Sequence, residues 1–337
     1  MMVVAAAVPI PEGPSGARYR APTAGLACDL GGPVPPGLTD DGPDLWPVGS
    51  TATPHVHCRG PRSLAREVHP PGYHGTMCFD VDSRPPIDPV SGAAVDHRAL
   101  DLESTDGERV MAFARLASSP STAGILVLPD VRGLHGYYEE LCLRFAEAGI
   151  DALAIDYFGR TAETRDRGAD FPFQEHVART TWAGNKSDIR AGARWLRDER
   201  GVERLFSVGF CFGGRLSFLA ATLDDVALAG AIGFYGWPVG RGRNDSPPPA
   251  ESADRMGCPV LGLFGGADQA IPPEAVAAFE MALTAAGVQN EIVTYPDAPH
   301  SFFDRKQADF QAESTAAWER TLAFIRAGDE PARASHA

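Results

Sequence analysis

Six short apolar runs recur along the chain: ILVLP (125–129), DALAID (151–156), RLFSVGF (204–210), LAGAIGFYG (228–236), PVLGLFG (259–265) and EIVTYP (291–296). Each ends in turn residues, and most are separated by segments whose apolar side chains repeat at helical spacing. Continuous apolar runs of strand length suit strands covered on both faces, and the intervening helices supply the cover. The pattern predicts an α/β fold with a mostly parallel central sheet and helices on both faces. Helices are expected over Tyr137–Ala148, Lys186–Arg200, Gly213–Leu223, Pro273–Ala286 and Gln307–Ile325. Ahead of the first run, ALDLES and RVMAFARL flank a Thr105-Asp106-Gly107 turn and read as an antiparallel hairpin.

In such a sheet, ligands bind where strands end and helices begin. The stretch Gly209-Phe210-Cys211-Phe212-Gly213 occupies such a place, after RLFSVGF and before GRLSFLAAT. A nucleophile elbow is a sharp strand-to-helix turn that strains its central residue and tolerates only small neighbours. Gly209 and Gly213 supply those neighbours, and Cys211 stands at the centre. An inert buried thiol among glycines that merely permit close packing is the competing reading.

Chain order bears on the choice, because a nucleophile on this kind of elbow is followed by an acid and then a histidine. PVLGLFG runs into Gly266-Ala267-Asp268, and EIVTYP into Asp297-Ala298-Pro299-His300-Ser301-Phe302. His300 is the one histidine between Cys211 and the C-terminal ARASHA, where His336 lies without a scaffold. Asp268 is preferred as the acid over Asp297, which stands three residues from His300 on a tight loop and is expected to brace that loop.

PDVRGLHGYYEELCLRFAEAGIDALAIDYFGR, VGFCFGGRLSF, GAIGFYG, LFGGADQAIP and YPDAPHSFFD together resemble the dienelactone hydrolase family of α/β-hydrolases. The resemblance spans residues 77–328, beginning at MCFDVDSRPP. It implies the α/β-hydrolase fold and a Cys211-Asp268-His300 triad. It also implies an oxyanion hole from the backbone N–H groups of Phe212 and Val131. Bacterial members carry a glutamate that hydrogen-bonds the resting thiol where this chain has Asp130, one methylene shorter. The arginines that grip a substrate carboxylate in the family have as candidates Arg132, Arg179 and Arg305, with a surface salt bridge as the competing role for each. Trp182, Tyr235 and Trp237 are candidate pocket walls or, equally, packing residues.

Residues 1–76 differ in kind, holding 13 of the 29 prolines and 11 of the 36 glycines without sustained periodicity. They read as a disordered extension, either a regulatory tail or a stretch ahead of a start at Met77. Residues 329–337 read as a flexible tail. His55-Val56-His57-Cys58 has ligand-like residues in that extension but is weak evidence for a metal, and neither metal nor cofactor is expected. With 30 Lys and Arg against 44 Asp and Glu, the chain carries a net charge of −14, which disfavours nucleic acid and anionic membranes as partners. The longest apolar runs fall short of a membrane span, the N-terminus lacks a basic region ahead of its apolar stretch, and the six cysteines form no CxxC pair. A cytoplasmic monomer or small homo-oligomer acting on a small molecule is expected.

The nucleophile also narrows the substrate. An ordinary thiol with a pKa of about 8.5 needs roughly 2 kcal/mol of thiolate stabilisation to be ionised at neutral pH. Once a thiolate adds to an amide, sulfur is the better leaving group and the intermediate collapses backwards. With an enol ester or lactone the oxygen leaves readily. The expectation is therefore hydrolysis of activated esters or lactones through a thioester, with a role in aromatic-compound breakdown suggested by the family. Two alternatives stand beside it: a thioesterase or general carboxylesterase on the same triad, and a non-catalytic binding or redox-sensing thiol protein.

Overall fold

The computed structural model describes residues 83–89, 96–304 and 309–327. The 1–76 extension with its HVHC motif, Met77, Arg305 and the 329–337 tail with His336 lie outside the described residues.

An eight-stranded sheet runs through the described region in the order β1-β2-β4-β3-β5-β6-β7-β8. The expected hairpin forms as β1 (Asp96–Glu103) and β2 (Arg109–Leu116), antiparallel, and β2 also pairs antiparallel with β4 (Asp151–Asp156). β3 (Ala123–Leu128), β5 (Arg204–Phe210), β6 (Gly230–Phe234), β7 (Val260–Gly265) and β8 (Asn290–Tyr295) continue in parallel from β4. Every side chain of β3, β4, β6 and β7 is buried, which is why these runs read as continuously apolar. β8, at the edge, mixes exposed and half-buried positions.

Among the described residues six α-helices connect or flank the strands: α1 (Gly136–Glu147), α2 (Phe173–Arg179), α3 (Trp182–Arg200), α4 (Phe212–Ala220), α5 (Pro273–Ala285) and α6 (Gln311–Ala327). The chain steps from β3 through α1 to β4 in one direction along the sheet, then from β4 through α3 to β5 in the other. Right-handed crossovers therefore place α1 and α3 on opposite faces. α6 joins α1, with Trp318 against Phe145 at a ring-centroid distance of 4.8 Å.

Three helices depart from expectation in their bounds or presence. α3 begins at Trp182 rather than Lys186 because the Gly184 N–H donates to the Thr181 side chain at 3.1 Å, a cap that initiates the helix through a glycine and an asparagine. α2, seven residues long, is too short to show periodicity and is anchored by the buried Val177. α4 stops at Ala220, three residues before the expected end.

The loop before α1 carries a half-buried histidine. His135 lies at the N-cap of α1 with its ring 5.0 Å from that of Tyr138. Burial, aided by the nearby Arg132 charge, holds its pKa down to about 3. An unfolded histidine takes up a proton below about pH 6.5, so across the interval between these values the unfolded chain binds more protons and stability falls as pH falls. His135→Gln is expected to flatten that dependence by up to ~1.4 kcal/mol per pH unit, measured by urea unfolding across the interval.

Candidate active site

Parallel pairing brings the candidate residues to one edge. Leu128 of β3 is opposite Gly209 of β5, Phe210 opposite Phe234 of β6, Phe234 opposite Leu263 of β7, and Gly265 opposite Tyr295 of β8. Val131, Cys211, Tyr235, Asp268 and His300 each follow one of these strand ends. The direction of chain travel reverses between β3 and β5, so the edge beside Val131 and Cys211 is the topological switch point where α/β sheets bind ligands.

Cys211 has φ 54° and ψ −109°, a conformation that an L residue rarely adopts, while its N–H donates to the Phe234 carbonyl at 3.0 Å. The flanking glycines let the turn close. A Cβ on Gly209 would lie 1.9 Å from the Gly213 oxygen, and one on Gly213 would lie 2.0 Å from the Leu128 oxygen. Cys142 and Cys258 are buried, and burial pushes the Cys142 thiol well above its ordinary range and that of Cys258 to about 12. Cys211 is half-buried. Tyr157 stands next to it, edge-on to Phe212 at 5.4 Å, with its hydroxyl donating to the Pro129 carbonyl.

Asp268 is the acid bonded to His300: the imidazole Nδ1 donates to its Oδ2 at 2.7 Å. The other oxygen, Oδ1, accepts from the N–H groups of Ala270 at 2.8 Å and Ile271 at 3.2 Å, so the carboxylate is locked on both sides. Two backbone bonds join the acid turn to the histidine loop, Gly266 N–H to the Tyr295 carbonyl at 2.7 Å and Ala267 N–H to the Ala298 carbonyl at 3.0 Å. Asp297 is exposed on the turn.

Of the remaining candidates, Tyr235 packs against this pair. Its ring lies 4.9 Å from that of His300, its hydroxyl donates to Asp304 at 2.8 Å, and its φ is +38°. Asp130 is buried, and its Oδ1 accepts from the Arg132 N–H at 2.9 Å, framing the Val131 peptide. The Arg132 guanidinium lies 5.8 Å from the Phe173 ring centre. Arg179 is exposed at the end of α2. Trp182 is half-buried, with Lys186 Nζ 5.7 Å from its ring, and Trp237 is half-buried on the loop after β6.

The sequence profile of the dienelactone hydrolase family matches residues 111–328, from β2 through the end of α6. The chain belongs to the dienelactone hydrolase family. Over 214 residues it is 34% identical to a candidate carboxymethylenebutenolidase of Salmonella typhimurium, covering 62% of this chain and 78% of that one. A candidate carboxymethylenebutenolidase of Escherichia coli K12 is 33% identical over 207 residues, covering 60% and 76%. The crystal structure of a candidate dienelactone hydrolase from Klebsiella pneumoniae superposes with a TM-score of 0.61 at 30% identity, covering 69% of this chain and 98% of that one. This member of the dienelactone hydrolase family is accordingly a carboxylic ester hydrolase with the α/β-hydrolase fold.

Sequence reasoning missed the cleft beside the site. A cavity of about 250 Å³ at Val131 is lined by Phe173, Gln174, Val177, Ala178 and Arg243. Its outer wall is α2, which has no periodicity to betray it, and the loop after β6. The role of Arg215 was missed as well; its signal in the sequence is a cation in the otherwise apolar GRLSFLAA.

Proposed function

We propose that this hydrolase cleaves activated carboxylic esters or lactones through a Cys211-Asp268-His300 triad and a thioester acyl-enzyme. The observation that carries the proposal is the 2.7 Å bond from His300 to a carboxylate already fixed by two N–H donors, on the sheet edge where Cys211 occupies a strained elbow.

In this reading Asp268 holds His300 with Nδ1 protonated, leaving Nε2 to take the Cys211 proton. The thiolate adds to the substrate carbonyl, and the developing oxyanion is met by the backbone N–H groups of Phe212 and Val131, donors of a type worth about 3 kcal/mol each when aligned. Phe212 is the first residue of α4, so its N–H has no partner within the helix, and the positive end of the helix dipole faces the oxyanion. Asp130 supports the second donor by fixing the Arg132 N–H; the thiol contact expected of Asp130 is part of the same proposal. The enol or alkoxide oxygen departs with the proton held by His300. Water then attacks the thioester with His300 as general base, releasing the acid and restoring the thiol. Val177, Ala178 and Phe173 give the adjacent cleft an apolar lining suited to the acyl part. Cysteines scattered without a paired motif favour a reducing, cytoplasmic setting.

The test is acid-quenched turnover of an enol lactone carrying a carboxylate, followed by peptide mapping. An acyl adduct on Cys211 that neutral hydroxylamine removes is expected; an adduct on another residue, or turnover without one under single-turnover conditions, overturns the proposal. Asp268→Asn is expected to lower kcat by about 10³-fold with KM changed only several-fold, because the imidazole loses its orientation and the stabilisation of its charged form.

A further inference from the structure

Arg215 is a cation buried one helical turn from the nucleophile, with about 1% of its surface exposed. Its guanidinium crosses to the loop that follows β6. Nε donates to the Ser246 hydroxyl at 3.1 Å and one terminal nitrogen to the Trp237 carbonyl at 2.9 Å. The other terminal nitrogen reaches the carbonyls of Gly240 at 2.9 Å, Ser246 at 3.1 Å and Pro247 at 2.9 Å. Burial draws its pKa down to about 10, which leaves it protonated at neutral pH. A planar fork of five N–H donors suits a side chain that must bind several carbonyls in one plane, and lysine cannot reproduce it.

The same loop is tied at its outer side. Asn244 donates to Asn185 at 2.9 Å and to the Thr180 hydroxyl at 3.3 Å, and it accepts from the Ser246 N–H at 3.1 Å. The Trp182 N–H donates to Asp245 at 2.5 Å. Thr180 and Trp182 bracket the junction of α2 and α3, so the loop is strung between α4 and that junction. Arg243, between the two sets of bonds, faces Phe173, Gln174, Val177 and Ala178 of α2 across the cleft at Val131. The far wall of the cleft therefore takes its position from Arg215, whose helix starts immediately after Cys211.

We propose that Arg215 is a positioning residue that sets the width of this cleft and thereby selects which acyl groups reach Cys211. The proposal rests on Cys211 being the reacting group. Polar groups this deeply buried are retained at a cost unless they specify geometry, and here the geometry specified is that of the binding wall.

The test compares wild type with Arg215→Lys, Arg215→Met and Asn244→Ala, the last loosening the loop from its outer end. Two series are measured: kcat and KM for p-nitrophenyl acetate, butyrate and hexanoate, and alkylation of Cys211 by iodoacetamide and by its N-phenyl and N-naphthyl derivatives, read by peptide mapping. In folded variants, alkylation by iodoacetamide and kcat for the acetate are expected to stay within about threefold of wild type. The hexanoate-to-acetate ratio of kcat/KM is expected to move by more than about fivefold, mostly through KM, and the bulky-to-small alkylation ratio by a similar factor. Unchanged ratios in both series, or a parallel fall for every substrate that tracks the unfolding temperature, overturn the proposal in favour of a merely structural arginine. If the wild type turns over no ester, the hydrolytic reading fails and the alkylation series alone decides the role of Arg215. If Arg215→Met does not fold, Arg215→Lys and Asn244→Ala decide it.

Discussion

Cys211→Ala is expected to lower kcat/KM for an enol lactone by about 10⁴-fold or more while the protein folds as before. The thiol is half-buried at the surface of the elbow, so its removal opens no sealed cavity, whereas the proposed reaction loses the atom that would form the acyl bond. The backbone supplies an internal check. At φ 54° and ψ −109° a residue with a Cβ is strained, by an amount of order 1–3 kcal/mol. Cys211→Gly is therefore expected to be as inactive as the alanine variant yet more stable than it by about 1 kcal/mol. Chemical denaturation of the two variants beside lactone turnover measures both effects. Residual activity within about tenfold of wild type in Cys211→Ala would remove the thiol from the mechanism.

Gly213→Ala is expected to destabilise the protein by about 3 kcal/mol or more and to lower activity in whatever remains folded. Its added Cβ would lie 2.0 Å from the Leu128 oxygen and 2.2 Å from the Pro129 oxygen, backbone atoms of the segment that carries β3 into Val131. No side-chain rotation relieves that overlap. Either α4 lifts away from the sheet, which moves Cys211 and the Phe212 N–H, or the β3 exit shifts, which moves Val131. Both displace the proposed oxyanion donors, and catalysis of this kind is sensitive to errors of about 1 Å. Gly136→Ala is the control: its added Cβ meets nothing within 4 Å at the start of α1, so stability is expected to hold or rise slightly. Thermal unfolding and lactone turnover on the two variants make the comparison.

Much of this architecture is legible in the order of residues. Apolar runs bounded by turns mark the strands because a strand buried on both faces has no polar alternation to display, and β3, β4, β6 and β7 are such strands. Gly209 and Gly213 mark the elbow because the backbone approaches there leave no room for a Cβ. Asp268 and His300 are legible because each follows a strand end on the same edge of a parallel sheet.

What the chain order leaves open is decided by contacts between residues far apart in sequence. The preference for Asp268 over Asp297 becomes a bond only when β7 and β8 pair in register and their loops lock together through Gly266 and Ala267. Tyr235 reaches His300, whereas the pocket roles weighed for Arg179 and Trp182 gain no contact with the Asp268–His300 pair among the described residues. The cleft wall escapes periodicity: α2 has seven residues, just under two helical turns, and the loop after β6 takes its path from hydrogen bonds supplied by Arg215 and Asn244. Periodicity and turn chemistry are local and so are written in the sequence, and they determined the strands, the elbow and the candidate triad. The acid–imidazole bond and the shape of the binding wall depend on long-range hydrogen bonds, which acquire partners and direction only once the sheet has assembled.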